Sequence, residues 1–325
     1  MIDLFGLIKD TGAYRTIKGD KDNNRLSHAY LILSADGDNL LEYLKIFASL
    51  MACKESEPCG YCRACSLIES NSHPDVMVFP KKDGAVLADD VNQLIEESYL
   101  KPIESDKKIF IINHAESMNA AAQNKLLKTL EEPPRNVHII LGATGEYSLL
   151  PTVKSRVKRL EIPFFTDEKL YNALKEECPD QEKLTAAIAC GDGTLGKAKS
   201  LYGDESLKDV TSLALEVLTD MTSSKDVLKY STKIAKVDFS EFLSVLELLL
   251  RDILVILQGK EDLVSNKAHL AALKNAPKFN TGSVLHALES VTETLKRKKF
   301  NVNATMLTEW LLFQILEGKY KWQKL

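Results

Sequence analysis

With 325 residues, 45 % apolar and 27 % charged side chains and a net charge of -4, the chain has the makeup of a soluble globular protein of two or three domains. That balance excludes a highly basic nucleic-acid coat, so any DNA contact must be a local patch or depend on partner subunits. No run reaches the roughly 18 apolar residues of a membrane helix, and MIDLFGLIKDTGAYRTIKG lacks a basic end followed by an apolar stretch, so neither an anchor nor an export signal is expected and a cytoplasmic location follows.

Residues 1–27 read as a helix and a polar connector at Asp22-Asn23-Asn24. His28–Ser34, HAYLILS, is a short buried strand ended by the turn Ala35-Asp36-Gly37-Asp38, and Leu40–Ala52 carries Leu40, Leu41, Leu44, Phe47, Ala48 and Met51 at helical spacing. A cysteine-rich segment follows at 53–65. Pro74–Pro80 is a further strand candidate, Asp89–Leu100 a helix, and Lys108–Asn113, KIFIIN, a central strand. Ala120–Glu132 is a helix stopped by Pro133-Pro134, and His138–Ala143, HIILGA, is the next strand. At Arg159–Pro163 the texture changes, and beyond it strand signals almost vanish. Strands alternating with helices up to about 160 predict a parallel sheet with helices on both faces. Residues 164–207 read as a small helical unit holding the turn Gly191-Asp192-Gly193. Further helices fill the rest, among them the apolar run Phe242–Leu257 and Ala304–Leu316, with Leu307, Trp310, Leu311 and Gln314 at helical spacing. The expected domains are an α/β domain over 1–162 with the cysteine module at 53–65, a helical lid over 163–207 and an all-helical domain over 208–325.

Four of the six cysteines fall within thirteen positions, as Cys53-x5-Cys59-x2-Cys62-x2-Cys65. An oxidised secreted scaffold would spread its cysteines, so the cluster reads as a metal site in a reducing compartment. Four thiolates can close a tetrahedron around Zn²⁺, and Gly60 gives the knuckle its backbone freedom. An iron–sulfur reading would continue as C-x3-C-P, whereas Cys65 is followed by SLIE. With four protein ligands no position is left for substrate, so the site is expected to be structural. Cys178 and Cys190 stand alone and read as small buried hydrophobes.

LSHAYL at 26–31, the knuckle at 53–65, HPDV at 73–76 and above all NKLLKTLEEPP at 124–134 form a set, followed at the expected interval by LLPTVKSR at 149–156. Together they resemble the delta-prime type of bacterial DNA polymerase III clamp-loader subunit, within the AAA+ family. LLLRDILV at 248–255 is a weaker match, so the resemblance spans essentially the whole chain but is most specific over 26–160. It implies an AAA+ type parallel sheet domain with an embedded zinc knuckle, a helical lid, and a collar domain that joins five subunits in a ring. The partners it implies are gamma/tau motor subunits and a delta subunit. The sliding clamp and primer–template DNA would be reached through the assembled complex, at the nucleoid-associated replisome, with no membrane involved. The implied role is to help load the sliding clamp onto primed DNA. A DNA-directed DNA polymerase or nucleotidyltransferase label would then describe the holoenzyme, and no intrinsic activity is expected.

A working phosphate loop needs GxxxxGK[ST], whose backbone N–H groups cradle phosphate while the lysine reaches the β/γ-phosphates and the hydroxyl holds Mg²⁺. Here the first strand leads into Ser34-Ala35-Asp36-Gly37-Asp38-Asn39-Leu40-Leu41. Leu40 takes the lysine place, Leu41 the hydroxyl place, and Asp36 and Asp38 would repel phosphate. After KIFII an active ATPase would carry a magnesium-binding aspartate and a water-orienting glutamate; this chain has Asn113 and His114, with Glu116 where helix turns begin. Neither ATP binding nor hydrolysis is expected of this subunit. The resemblance further implies that Arg156 points across the subunit boundary at a neighbour's ATP, where a guanidinium can neutralise charge developing on the γ-phosphate. Ser155 would orient the arginine or local backbone, and Val157 stands where the family commonly has cysteine. Thr144 and Lys197 fall near positions where active relatives sense nucleotide and are expected to be relics here. His28 is expected to make a structural hydrogen bond, and Lys296-Arg297-Lys298-Lys299 reads as a solvated helix end or a phosphate-binding patch. Two other classes stay in view: an ATP-hydrolysing motor subunit of the same superfamily, and a stand-alone zinc-containing nucleic-acid binder.

Overall fold

Ala29–Ser34 (β1), Val76–Phe79 (β2), Lys108–Ile112 (β3), Val137–Ala143 (β4) and Lys158–Ile162 (β5) form one parallel sheet in the order β2-β3-β4-β1-β5. This computed structural model describes residues 4–81, 84–203, 206–264, 270–274, 279–298 and 303–321. β1 and β3 are buried at every position because helices cover both faces, which is why they read as unbroken apolar runs. Register is set pairwise: Leu31 opposes Leu141 on one side and Arg159 on the other, and Phe110 opposes Ile139.

Successive side chains point to opposite faces of the sheet. Leu31, Leu33, Phe110, Ile112, Ile139 and Leu141 pack with Val91 and Leu94 of Ala88–Ser98 and with Leu126 and Leu130 of Ala120–Glu131. The other face takes the N-terminal helices. There Gly142 leaves the space that Leu44 fills, since a Cβ at 142 would stand 2.4 Å from Leu44 Cδ1. In chain order the helices of this part are Leu4–Ile8 (α1), Gly12–Asp22 (α2), Leu40–Ala52 (α3), Arg63–Glu69 (α4), Ala88–Ser98 (α5), Ala120–Glu131 (α6), Pro151–Lys154 (α7) and Asp167–Leu174 (α8).

The architecture is the expected parallel sheet with helices on both faces, with two local corrections. Residues 1–27 hold two helices, because Thr11 caps the second by accepting the N–H of Tyr14 at 3.2 Å. The change of texture at Arg159–Pro163 is the fifth strand. β5 lies at the sheet edge, and its positions 159 and 161 are exposed, so it lacks the apolar run that marks a central strand.

Two compact units emerge: Met1–Glu176 with Thr194–Gly196, and Glu177–Gly193 with Lys197–Leu325. The remaining helices are Gln181–Cys190 (α9), Leu195–Gly203 (α10), Ser206–Asp220 (α11), Ser224–Ile234 (α12), Phe239–Leu257 (α13), Leu270–Lys274 (α14), Thr281–Lys298 (α15) and Ala304–Lys321 (α16). In the second unit α13 is the central helix. Its Leu246, Leu249, Leu250 and Ile253 share a core with Val217 of α11, Val291 of α15 and Leu311 of α16. Lys319 is 2 % exposed and donates to the carbonyls of Leu218 and Met221 at 2.7 and 3.2 Å, satisfying acceptors that the end of α11 leaves without intrahelical partners. Among the described residues no helix is long and apolar enough to cross a membrane.

Candidate functional site

The four knuckle cysteines are brought together by the end of α3 and the start of α4. Cys53 is the cap that closes α3, Gly60 turns the chain at φ +75°, and Cys62 caps α4. All four sulfurs lie within 4.8 Å of one another, with Cys53 Sγ 3.8 Å from Cys59 Sγ and 3.9 Å from Cys62 Sγ. A tetrahedral ion bound at about 2.3 Å would hold its sulfurs roughly 3.8 Å apart, so the cluster can hold a metal ion of that kind. Although burial opposes it, the N–H groups of Cys62 and Tyr61 bring the Cys59 thiol down to about 7, toward the thiolate a cation needs. Several side chains tie the module to its surroundings, among them Lys18, which pairs with Glu57. Lys21 donates to the carbonyl of Cys53 at 2.8 Å, and Arg63 grips Glu104 through two bonds of 2.7 and 3.0 Å. Cys178 and Cys190 are buried elsewhere, and burial pushes the Cys190 thiol up to about 12, as suits an inert packing residue.

His73 and Asp75, from HPDV, have structural partners. His73 Nδ1 accepts the N–H of Asp75 at 3.1 Å. The Asp75 carboxylate accepts the N–H groups of Ile103, Glu104 and Ser105 at 2.7, 2.7 and 2.8 Å, so it fastens the loop that carries Glu104. Burial works against the charge, but these donors outweigh it and hold the carboxyl below the usual aspartate range. A carboxylate whose folded pKa is depressed stabilises the fold fully above its unfolded value of about 4, and that stabilisation is lost as pH falls through the folded value. Urea midpoints between pH 7 and pH 3 are therefore expected to fall steeply at the acid end. Asp75→Asn should lose about 2 kcal/mol at neutral pH and flatten that acid limb. Parallel profiles for the two proteins would show that another group titrates.

At the carboxyl ends of β1, β3 and β4, where the strand order reverses, an open α/β sheet has its binding crevice. The loop after β1 occupies this place. Ser34 is buried and its Oγ accepts the N–H of Asp36 at 3.2 Å. Leu40 is fully buried at the start of α3, directed into the core rather than toward a ligand, and Leu41 is the next residue of that helix. Gly37 runs close to the neighbouring strand ends, since a Cβ there would stand 3.1 Å from Thr144 Cγ2 and 3.5 Å from His114 Cε1.

Beyond β3, Asn113 donates its N–H to the carbonyl of Phe79 at 2.8 Å, while its Oδ1 is buried without a partner. His114 takes a left-handed conformation at φ 53°. That turn folds Glu116 back, so that its carboxylate accepts the Thr144 hydroxyl at 2.7 Å and lies 3.1 Å from His114 Nδ1. Burial raises the Glu116 pKa, but the Thr144 hydroxyl and the other donors outweigh it and keep the group below its usual range. A carboxylate thus stands beside the ends of β3 and β4, supplied by neither Asn113 nor His114. Thr144 binds it as a strand-end partner. His28 departs from expectation: its Nε2 is buried without a partner, and the nearby imidazole bond is made by His138 Nδ1 to the carbonyl of Ser27 at 2.8 Å.

Arg156 follows α7. Its Nη1 donates to the Thr152 carbonyl at 2.9 Å and to Ser155 Oγ at 3.1 Å, and its Nη2 pairs with Glu131 Oε1 at 2.7 Å. The side chain stays 34 % exposed. Two residues of α6 that sequence reasoning passed over support this arm. Glu131 ends the helix, and Gln123, 1 % exposed, donates from Nε2 to the carbonyls of Met118 and Ser148 and accepts the N–H of Leu150 at 2.7 Å. The sequence around it, AAAQNKLL, carries no signal of this role, since the burial and the partners of Gln123 follow from the fold. Lys197 pairs with Asp192 and reaches Ser244 Oγ at 3.3 Å, all within the second unit. In the basic run Arg297 stacks 4.5 Å over the Trp310 ring and pairs with Glu293, and Lys298 bonds Ser240; Lys299 lies outside the described residues.

A family model described as DNA polymerase III, delta subunit, matches residues 9–166. The chain is 29 % identical over 310 residues to DNA polymerase III subunit delta' of Bacillus subtilis, covering 91 % of this chain and 93 % of that one. It is 26 % identical over 314 residues to the subunit of the same name from Yersinia pestis, covering 92 % of each. A solved structure of a gamma subunit-related protein from Thermotoga maritima superposes with a TM-score of 0.45 at 19 % identity, over 93 % of this chain and 99 % of the other.

Proposed function

We propose that the chain, which is similar to DNA polymerase III delta' subunits along most of its length, is a clamp-loader subunit of that family and works there without hydrolysing ATP itself, lending Arg156 to the ATP site of a neighbouring motor subunit. Gamma/tau subunits and a delta subunit would be its ring partners, and sliding clamp and primed DNA would be met by the assembled complex in the cytoplasm. The boundaries at 162 and 207, between sheet domain, lid and collar, belong to the same proposal, as does a structural Zn²⁺ held by Cys53, Cys59, Cys62 and Cys65. Bound there, the ion would cross-link the knuckle and take no part in any reaction.

One observation carries the non-hydrolysing reading: Leu40, at the place of the phosphate-loop lysine, is buried with 0 % exposure, so that position offers no cation to the β/γ-phosphates. Glu116 does stand near the strand ends, yet it is engaged by Thr144 and His114. A carboxylate without the loop cannot position a nucleotide. Equilibrium dialysis of the purified chain against labelled ATP and Mg²⁺, with a turnover assay on the same sample, tests this. No retention and no turnover are expected; measurable turnover would favour the motor-subunit alternative.

A further inference from the structure

The loop after β1 buries a carboxylate against the opening residues of α10. Asp36 is 4 % exposed. Its Oδ2 accepts the N–H groups of Leu195 and Gly196 at 3.1 and 3.2 Å, the hydroxyl of Tyr43 at 2.7 Å and the Asn39 side-chain amide at 3.1 Å. Oδ1 takes the same amide at 3.1 Å and the Asn39 N–H at 3.4 Å. Leu195 and Gly196 open α10, a helix of nine residues, and belong to the first unit with Thr194. The first N–H groups of a helix lack intrahelical acceptors, and together with the helix dipole they form a ready anion site.

Three features show that this anion is built in. Tyr43 is fully buried, and burial followed by the charge of Asp36 raises its phenol, so it stays a donor. Among the described residues no ion pair joins Asp36 to a lysine or arginine, and its hydrogen-bond donors are neutral N–H and O–H groups. Gly196 is the residue that lets the two segments meet, because a Cβ there would stand 2.6 Å from Asp36 Oδ1 and 2.7 Å from Asp38 Cβ.

We propose that Asp36 is an internal substitute for a nucleotide phosphate, filling the anion site between the loop after β1 and the opening amides of α10. It excludes phosphate by charge and volume, and it holds Thr194–Gly196 in place whether or not nucleotide is present. This rests on, and deepens, the reading that the chain does not bind ATP.

Asp36→Gly removes the carboxylate and empties its volume while leaving the Leu195 and Gly196 amides. Thermal unfolding of the full chain is followed during titration with sodium pyrophosphate, with sodium sulfate at matched ionic strength as the control. The wild-type midpoint should respond alike to both salts. The Asp36→Gly midpoint should fall by several degrees and then recover saturably with pyrophosphate beyond the sulfate response. Absence of that specific recovery overturns the inference. Should the glycine variant not fold, Asp36→Asn keeps the shape and removes the charge. Its Leu195 and Gly196 amides should then exchange hydrogen at least tenfold faster than wild type, and unchanged exchange overturns the inference equally. ATP retained by the wild type would defeat the reading beneath it, whereas an unrecovered Asp36→Gly beside an ATP-silent wild type would defeat this inference alone.

Discussion

Arg156→Ala is expected to slow hydrolysis at the adjoining motor site by about three orders of magnitude, the lower end of what an arginine finger supplies. Ring assembly should be unaffected. Bulk turnover by a reconstituted loader, with clamp and primed DNA, should fall only by the share of that one site, so single-turnover ATP hydrolysis is the sensitive measurement. In the isolated chain the guanidinium rests on Glu131, but the two side chains are 34 % and 48 % exposed. An ion pair so open to water is worth roughly 0–1 kcal/mol. A developing γ-phosphate charge in a closed site would therefore outcompete Glu131, and the pair would store the proposed finger without trapping it. Arg156→Lys should recover little, because an ammonium lacks the planar fork that matches phosphate oxygens. Wild-type rates for Arg156→Ala in a fully assembled loader would leave Arg156 as a surface partner of Glu131.

What could be read in advance followed from how many neighbours each element has. β1 and β3 lie inside the sheet with helices on both faces, so six and five consecutive buried residues announce them. β5 has a neighbour on one side only and alternates like any half-covered strand. The knuckle was legible because its four ligands are local, within residues 53–65. The site at the carboxyl ends of the strands was legible only as a list of missing groups. Asp36 and Asp38 read as charges that would repel phosphate, which is sound electrostatics for an open loop. Two of the donors that meet Asp36, the Leu195 and Gly196 amides, come from 159 and 160 positions away, and no spacing rule reaches them. Glu116 was set aside because three residues separate it from the end of β3, and the left-handed His114 that folds it back onto Thr144 is invisible without a backbone. Gln123 shows the same limit, since its partners at Ser148 and Leu150 lie on a segment whose path only the fold defines.

Removing the metal is expected to have the largest effect on stability. Structural zinc in small tetrathiolate modules contributes apparent binding energies of about 10–16 kcal/mol, comparable with the roughly 5–15 kcal/mol that holds a whole domain folded. The segment 53–65 has little else to hold it: its only helix, α4, begins at Arg63, and of the cysteines Cys53 and Cys65 are buried whereas Cys59 and Cys62 are partly open. The chain purified under reducing conditions should therefore carry one zinc per molecule by elemental analysis and show no visible absorption. Cys59→Ser leaves three ligands and should fall well below that stoichiometry. Its first consequence should be local, with fast amide exchange over 53–65. It should then spread through tethers such as Lys21 at the Cys53 carbonyl and Arg63 at Glu104, the latter leading toward the Asp75 loop. A midpoint lowered by several degrees in Cys59→Ser, and an equal drop in wild type treated with chelator, would place the stabilisation in the ion rather than in the thiol. If wild type is metal-free and indifferent to chelator while Cys59→Ser still loses stability, the sulfurs act as packing groups. Iron with visible absorption would instead show that the four sulfurs hold an iron ion in place of zinc.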